Sequence, residues 1–274
     1  MIKRLPVLLK TNENVYTQVE TKRPTGVLIA ETEEAVKKNE FLGLRNFVSG
    51  CISSITGEDI EITDKIQIKT AVGKMSNKSV EYLSQEIMID YYEGDDYVEG
   101  VYTCPRCNTQ HIFEKSIQDG IDMDNRDKIS DLIVTFMEDP SELLFDIEFK
   151  NPIVVSSSQL EEEINNVTMT FPTMDDHIEV LNTVGRNNMT RLQYALYSRA
   201  IVKANGLEVD NSWRRSKGIQ LFLNSDNVKE DVGKMAEYIN RYGVDHRLEK
   251  VCKNCSKVWQ PVINTSNFFG SALL

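Results

Sequence analysis

Apolar and polar residues alternate along several stretches of the chain with the period of two that is typical of half-buried strands. Residues 6–19 alternate on both sides of a polar segment at 11–14, which predicts a hairpin. Residues 145–149 and 167–171 show the same period and predict two paired strands. The segment 156–163 between them is rich in serine and glutamate and is predicted to be a flexible surface loop.

Other stretches repeat apolar residues at helical spacing. Residues 31–54 predict one or two amphipathic helices, and residues 77–91, 188–204 and 227–242 predict one helix each. A further helix is predicted to begin after Thr173, because its hydroxyl can accept a hydrogen bond from a first-turn amide and the aspartates that follow suit the helix dipole. Together with the strands, these elements predict an α+β fold of mixed helices and antiparallel strands.

The composition is that of a folded protein and argues against some classes of function. The chain has 274 residues, 41% of them hydrophobic, which is enough for one large or two ordinary domains. Its formal net charge of -11 opposes docking on a nucleic-acid backbone or on an anionic membrane. No apolar run reaches the length of a signal-peptide core or a membrane span, so we expect a cytoplasmic protein.

One compact basic patch with an aromatic residue stands out, and it contains Trp213, Arg214, Arg215 and Lys217. Because the chain is acidic, we interpret this patch as an exposed loop or a protein interface rather than a nucleic-acid contact. Cys51 falls near the apolar side of the predicted helices and is interpreted as a small core residue.

Four of the five cysteines form two C-x-x-C pairs, which are the strongest chemical signal in the sequence. Cys104 and Cys107 form the first knuckle, and Cys252 and Cys255 form the second. Two residues between cysteines allow both thiolates of one turn to face one ion, and Zn²⁺ favours four such ligands in a tetrahedron. We therefore predict that the four cysteines bind one structural Zn²⁺.

The sequence around each knuckle supports this prediction. Alternating apolar residues flank both knuckles, as expected of a zinc-ribbon-like site built from two hairpins. Asn108 and Ser256 follow the knuckles directly and tolerate the tight backbone that directs amide hydrogens at sulfur. Roughly 140 residues separate the two pairs, against about 15 to 20 in a compact ribbon, so the site is predicted to join remote segments.

Other interpretations of the cysteines are weaker. A redox dithiol needs a cysteine of lowered pKa at the start of a helix, whereas strands are predicted around both knuckles. A catalytic zinc needs an open coordination position, which four thiolates close. His111 lies near the first knuckle and could replace a cysteine as ligand, but we interpret it as a strand residue.

These predictions divide the chain into two parts. Residues 1–75 are predicted to form an N-terminal hairpin and helices. Residues 76–274 are predicted to form a zinc-containing α+β domain, in which residues 115–245 are inserted between the knuckles. The sequence has no phosphate-binding glycine loop, no G-x-S-x-G elbow and no H-E-x-x-H helix, so we do not expect an enzyme.

The order of the features along the chain is itself informative. A helix with Tyr82, Leu83 and Ser84 precedes the first knuckle, a strand at 167–171 lies between the knuckles, and the pair Phe268 and Phe269 follows the second. This order resembles that of tail and baseplate-hub proteins of contractile-tailed bacteriophages. The resemblance covers residues 75–270, and the two cysteine pairs are its specific part.

The resemblance implies a non-enzymatic component of a contractile tail or a related injection machine, with Cys104, Cys107, Cys252 and Cys255 as structural zinc ligands. The implied partners are other tail and baseplate-hub proteins, with a homo-oligomer as a further option, and neither a membrane nor a nucleic acid. Trp213 and the two terminal phenylalanines are candidate contacts. The implied locations are the host cytoplasm during assembly and the baseplate of the finished tail.

Two alternatives remain open from the sequence. A zinc-ribbon regulatory or nucleic-acid-binding module is the first, and it requires a local basic face on the acidic chain. A hydrolase with an unrecognised carboxylate site is the second.

Overall fold

A computed structural model of the chain describes residues 1–11, 14–91, 100–113, 132–157, 160–247 and 249–261. Its strands are β1 (Ile2–Thr11), β2 (Asn14–Thr21), β3 (Ile52–Gly57), β4 (Glu61–Ile62), β5 (Gly100–Thr103), β6 (Gln110–Phe113), β7 (Ile133–Thr135), β8 (Phe145–Ser157), β9 (Leu160–Met169), β10 (Ile201–Ala204), β11 (Leu207–Glu208), β12 (Gly243–Asp245), β13 (Lys250–Val251) and β14 (Val258–Trp259). Its helices are α1 (Gly26–Lys38), α2 (Glu40–Gly50), α3 (Lys65–Lys74), α4 (Asn77–Tyr91), α5 (Met174–Val184), α6 (Met189–Ala200), α7 (Asn211–Asn224) and α8 (Val228–Ile239). Mixed helices and antiparallel sheets confirm the predicted α+β class.

Two antiparallel sheets of four strands organise the fold. The first has the order β1-β2-β3-β4, and the predicted N-terminal hairpin is confirmed as β1 and β2. The second has the order β11-β10-β9-β8, and the predicted pairing of β8 with β9 is confirmed, with Ile147 opposite Val167. The helix predicted after Thr173 is also confirmed, because the Thr173 hydroxyl accepts from the amide of Asp176 while the Asp176 carboxylate accepts from the amide of Thr173.

The end of one predicted helical segment and one predicted loop are wrong. The helical segment predicted over 31–54 ends at Gly50, and β3 follows it and pairs with β2. The predicted loop over 156–163 is wrong for the described residues of this segment, because residues 156–157 belong to β8, residues 160–163 belong to β9, and Ser156 lies opposite Glu161. In both cases strand pairing outweighs the local composition.

The helix predicted over 188–204 is also too long, since α6 ends at Ala200 and β10 begins at the next residue. The β-branched residues Ile201 and Val202 favour a strand, and β10 pairs with both β9 and β11. A turn at Asn205, whose φ is 48°, joins β10 to β11.

The basic patch predicted to be a loop is the first half of helix α7. Asp210 caps this helix by accepting a hydrogen bond from the amide of Trp213 at 2.7 Å. The Trp213 ring packs against the buried side chains of the second sheet, and Lys217 forms a 2.8 Å ion pair with Glu162 of β9. The loop prediction is therefore wrong, because capping and packing place the patch in regular structure.

Among the described residues, buried side chains form three clusters. The first includes Leu5 of β1, Phe47 of α2 and Leu83 of α4. The second lies between the second sheet and helices α6, α7 and α8. The third contains residues of β1 together with Phe171 and Tyr242, which follow β9 and α8. The proposed division at residue 75 stays a prediction, and the first cluster contains side chains from both sides of that position.

Helix side chains bind backbone groups on the outer strand of each sheet, β1 in the first and β8 in the second. Ser79 of α4 is fully buried, and its hydroxyl accepts from the amide of Val7 at 3.0 Å and donates to the carbonyl of Val7 at 2.8 Å. On β8, the Gln220 side chain of α7 accepts from the amide of Ser156 at 2.8 Å and donates to its carbonyl at 2.9 Å. Asn224, one turn further along α7, donates to another β8 carbonyl at 2.8 Å. These bonds satisfy backbone groups that would otherwise lie unpaired at a sheet edge.

Replacing Ser79 with alanine should lower the free energy of unfolding by about 1–3 kcal/mol, because the amide and carbonyl of Val7 become buried without partners. Ser84→Ala is a matched control, since Ser84 is equally buried in α4 but its hydroxyl donates only to the carbonyl of Glu81 in the same helix. Urea unfolding followed by circular dichroism measures both variants. Equal losses of stability would contradict the role assigned to Ser79.

Candidate metal centre

Each knuckle lies at the end of a short antiparallel hairpin. The first is held between β5 and β6, where Thr103 pairs with Gln110. The second is held between β13 and β14, where Val251 pairs with Val258. The hairpins predicted around both knuckles are thus confirmed, and the four cysteines stand where the strands turn back.

The two knuckles have the same backbone geometry. In the first, the amide of Asn108 donates to the carbonyl of Cys104 at 3.0 Å, and in the second, the amide of Ser256 donates to the carbonyl of Cys252 at 2.8 Å. Asn108 and Ser256 have φ values of 56° and 55°, in the left-handed region. The tight turn expected at these two positions is confirmed, and asparagine is one of the side chains that tolerate it best.

The four cysteine sulfurs converge on one point. Their Sγ atoms all lie within 4.8 Å of one another, and they form a group that can hold a metal ion. Across the two knuckles, the sulfurs of Cys104 and Cys255 are 3.7 Å apart and those of Cys107 and Cys252 are 3.6 Å apart. A disulfide would bring two sulfurs to about 2.05 Å, so these cysteines are free thiols that share a site.

Burial differs between the two cysteines of each knuckle. The first of each pair, Cys104 or Cys252, is almost fully buried, whereas Cys107 and Cys255 are half-buried. Tyr102 of β5 belongs to the first buried cluster and Trp259 of β14 packs against it. The ribbon formed by the two hairpins is therefore attached to the main body of the fold by an aromatic residue from each hairpin.

Hydrogen bonds to sulfur set the acidity of the thiols. The hydroxyl and the backbone amide of Thr109 lower the pKa of Cys107 to about 6. Burial opposes ionisation of Cys104, but the backbone amides of its own knuckle, together with the thiols of Cys252 and Cys255, outweigh that effect and hold its pKa below the ordinary value. The amide of Lys257 favours the thiolate of Cys255, yet burial and the neighbouring sulfurs raise the pKa of this thiol to about 12. In the protein alone, the pKa values of Cys104 and Cys107 therefore lie below that of Cys255.

Two contacts between the hairpins were not predicted from the sequence. The Asn254 side chain of the second knuckle donates to the hydroxyl of Thr109 at 3.0 Å, and that hydroxyl lies 3.1 Å from the sulfur of Cys107. The rings of His111 and Trp259 lie 5.2 Å apart between centroids and are tilted by 49°. Contacts made by residues around the cysteines help to orient the cysteine side chains. The C-x-x-C spacing does not predict which residues make them.

The remaining candidate residues lie outside the group of sulfurs. His111 is a strand residue of β6 and is not part of it. Cys51 is fully buried in the first cluster, as expected of a core residue. Trp213 is on α7, and Phe268 and Phe269 lie outside the described residues. Within the described ranges, the four cysteines are the one group of three or more possible metal ligands.

Comparisons with protein-family models, with curated proteins and with solved structures find no match to this chain. In the described parts of the chain, none of the helices has the length and apolar character needed to cross a membrane.

In the reduced protein stripped of metal, iodoacetamide at pH 7 should modify Cys107 before Cys51. The Cys107 pKa of about 6 leaves mostly thiolate at pH 7, whereas burial raises the pKa of Cys51 to about 12 and keeps it a thiol. Peptide mass spectrometry after short exposures measures the order of modification.

The hydroxyl of Thr109 provides the control for this experiment. Thr109→Val should move the reaction of Cys107 to higher pH because its thiolate loses a donor, and Thr109→Ser should leave the pH dependence unchanged. The assignment is wrong if Cys51 reacts first or if Thr109→Val reacts like the parent protein.

Proposed function

We propose that Cys104, Cys107, Cys252 and Cys255 bind one structural Zn²⁺. In a tetrahedron with Zn–S bonds of about 2.3 Å, two sulfurs are about 3.8 Å apart. The two sulfur pairs that link the knuckles, at 3.7 and 3.6 Å, are close to that value. The spacing of the sulfurs is the observation that carries this proposal.

A structural role fits the donor set better than a catalytic one. Four cysteine thiolates fill the coordination shell of Zn²⁺ and leave no position for water or substrate. The chain's own contribution is to hold the thiolates, through the amides of each knuckle and the hydroxyl of Thr109, and to keep the two hairpins in register through Asn254. Bound zinc would supply a fixed link between hairpins that are remote in sequence.

At the level of the whole protein, we propose a non-enzymatic structural or assembly component of a contractile tail baseplate or hub. The support is the resemblance in the order of features, of which the paired knuckles are the specific part. A metal link that holds remote segments suits a protein that must present a rigid surface to several neighbours. The host cytoplasm during assembly and the tail baseplate are the proposed locations, and tail and hub proteins are the proposed partners.

A zinc-ribbon module that binds nucleic acid is the second candidate, and one observation favours it. Arg106, Lys253 and Lys257 are exposed on the knuckles of a chain whose formal net charge is -11. A local basic face of this kind can contact phosphates even on an acidic protein.

Native mass spectrometry of the purified protein should show one zinc per chain, released by acid and chelator. Cys252→Ser should bind little or no zinc and should unfold at lower urea concentration, because binding of a structural metal contributes to folding stability. Cys51→Ser is the matched control, since Cys51 is a buried cysteine outside the site, and it should retain the metal. The zinc proposal fails if the parent protein carries no metal or if both variants retain it.

A tagged chain, expressed in cells that assemble a contractile tail, should retain tail or baseplate-hub proteins that mass spectrometry identifies as such. A variant lacking residues 267–274, which lie outside the described residues, should retain less of them with an unchanged circular dichroism spectrum. Recovery of nucleic acid that is released as salt increases would contradict the baseplate proposal and favour the second candidate.

A further inference from the structure

Helices α5, α6 and α7 meet at a cluster of arginine side chains that the proposed metal site does not involve. Helices α6 and α7 approach closely, because a Cβ atom on Gly218 would lie only 3.1 Å from the Cβ of Ser198. The next residue of α6 is Arg199, and α7 contributes Arg214 and Arg215. These three residues define the arginine cluster.

Arg199 is an unusual buried cation, since only 8% of its surface is exposed. Its Nη2 donates to Glu179 of α5 at 2.9 Å. Its Nε and Nη1 atoms are buried and have no hydrogen-bond partner among the described residues. A buried guanidinium with open N–H groups is costly, because the lost contacts with water are not replaced.

Arg214 and Arg215 add to the positive charge at this point. The Nη2 of Arg215 lies 3.0 Å from the same oxygen of Glu179 that Arg199 contacts, so one carboxylate oxygen serves two guanidinium groups. The Nε of Arg214 is buried and also lacks a partner among the residues that the structure describes. Burial, together with the charge of Arg199, lowers the pKa of Arg214 below that of an ordinary arginine.

The nearby acidic residues do not fill these open positions. Asp176 and Asp210 attract Arg214 at a distance, but the carboxylate of Asp176 accepts hydrogen bonds from Thr173 and that of Asp210 accepts one from the amide of Trp213. Both carboxylates take part in helix capping, and neither is a hydrogen-bond partner of the buried nitrogens of Arg199 and Arg214 in the described part of the chain. Three buried guanidinium nitrogens, two on Arg199 and one on Arg214, thus have no hydrogen-bond partner among the described residues of a strongly acidic protein.

We propose that the arginine cluster binds a phosphate group, with Arg199 and Arg214 as its principal donors. Phosphate carries about -1.5 to -2 charges at pH 7 and several strong acceptor oxygens, which suits several donors on two adjacent cations. A single carboxylate has less charge and fewer acceptors, and Glu179 shows that one carboxylate leaves part of the cluster unsatisfied. Guanidinium groups bind phosphate with strong charge-assisted hydrogen bonds.

Calorimetry of the full chain with inorganic phosphate at constant ionic strength tests this proposal. We expect saturable binding of one phosphate per chain, much weaker binding of acetate, and a thermal midpoint that rises with phosphate concentration. Arg214→Gln should weaken phosphate binding at least about tenfold, because it removes a charged donor. Arg23→Gln makes the same change at an exposed arginine outside the cluster and should bind phosphate like the parent protein.

Arg214→Lys is the second variant, and it keeps the positive charge while it removes the buried Nε donor. It should bind phosphate with intermediate affinity, and near-ultraviolet circular dichroism of each variant checks that the fold is retained. If phosphate binds no better than acetate, or if both Arg214 variants bind phosphate as tightly as the parent protein, then the cluster is not a phosphate site.

Discussion

The candidate metal centre depends on the meeting of two hairpins that are far apart in the sequence. The cysteines whose sulfurs face each other across the site are 145 and 151 positions apart. Because closure entropy grows only with the logarithm of loop length, a loop about eight times longer than that of a compact ribbon costs about 2 kcal/mol more. Aromatic packing of Tyr102 and Trp259 on the first cluster offsets part of this cost. The pairing of β7 with β12, which both lie between the two hairpins in sequence, brings distant parts of the chain together a second time.

Much of the local structure could be predicted because its signals lie within a few residues. The capping box at Thr173 and the left-handed turns at Asn108 and Ser256 depend on side chains next to the backbone that they stabilise. The segment around Ser156 could not be predicted in this way. Its composition suggests a loop, but its backbone is bound by Gln220, which is 64 positions away in the sequence. Tertiary contacts of this kind override local preference.

In the candidate site too, local features could be predicted and tertiary contacts could not. The spacing of the cysteines is a local property, and it was sufficient to choose the four side chains that converge. The contacts of Asn254 with Thr109 and of His111 with Trp259 connect the two hairpins, and no spacing rule predicts which side chains meet there. The burial of Arg199 could not be predicted from the sequence either, because a single arginine on an amphipathic helix is normally interpreted as exposed.

Some backbone groups on the outer strands of the two sheets are already bound by helix side chains. Ser79 occupies the backbone groups of Val7 on β1, and Gln220 and Asn224 occupy the β8 edge near Ser156. The opposite edges are formed by β4 and β11, which have only two residues each. A second chain would find little free backbone at these places against which to add a strand. At these places, a contact with a second chain would therefore depend more on side-chain chemistry than on backbone pairing.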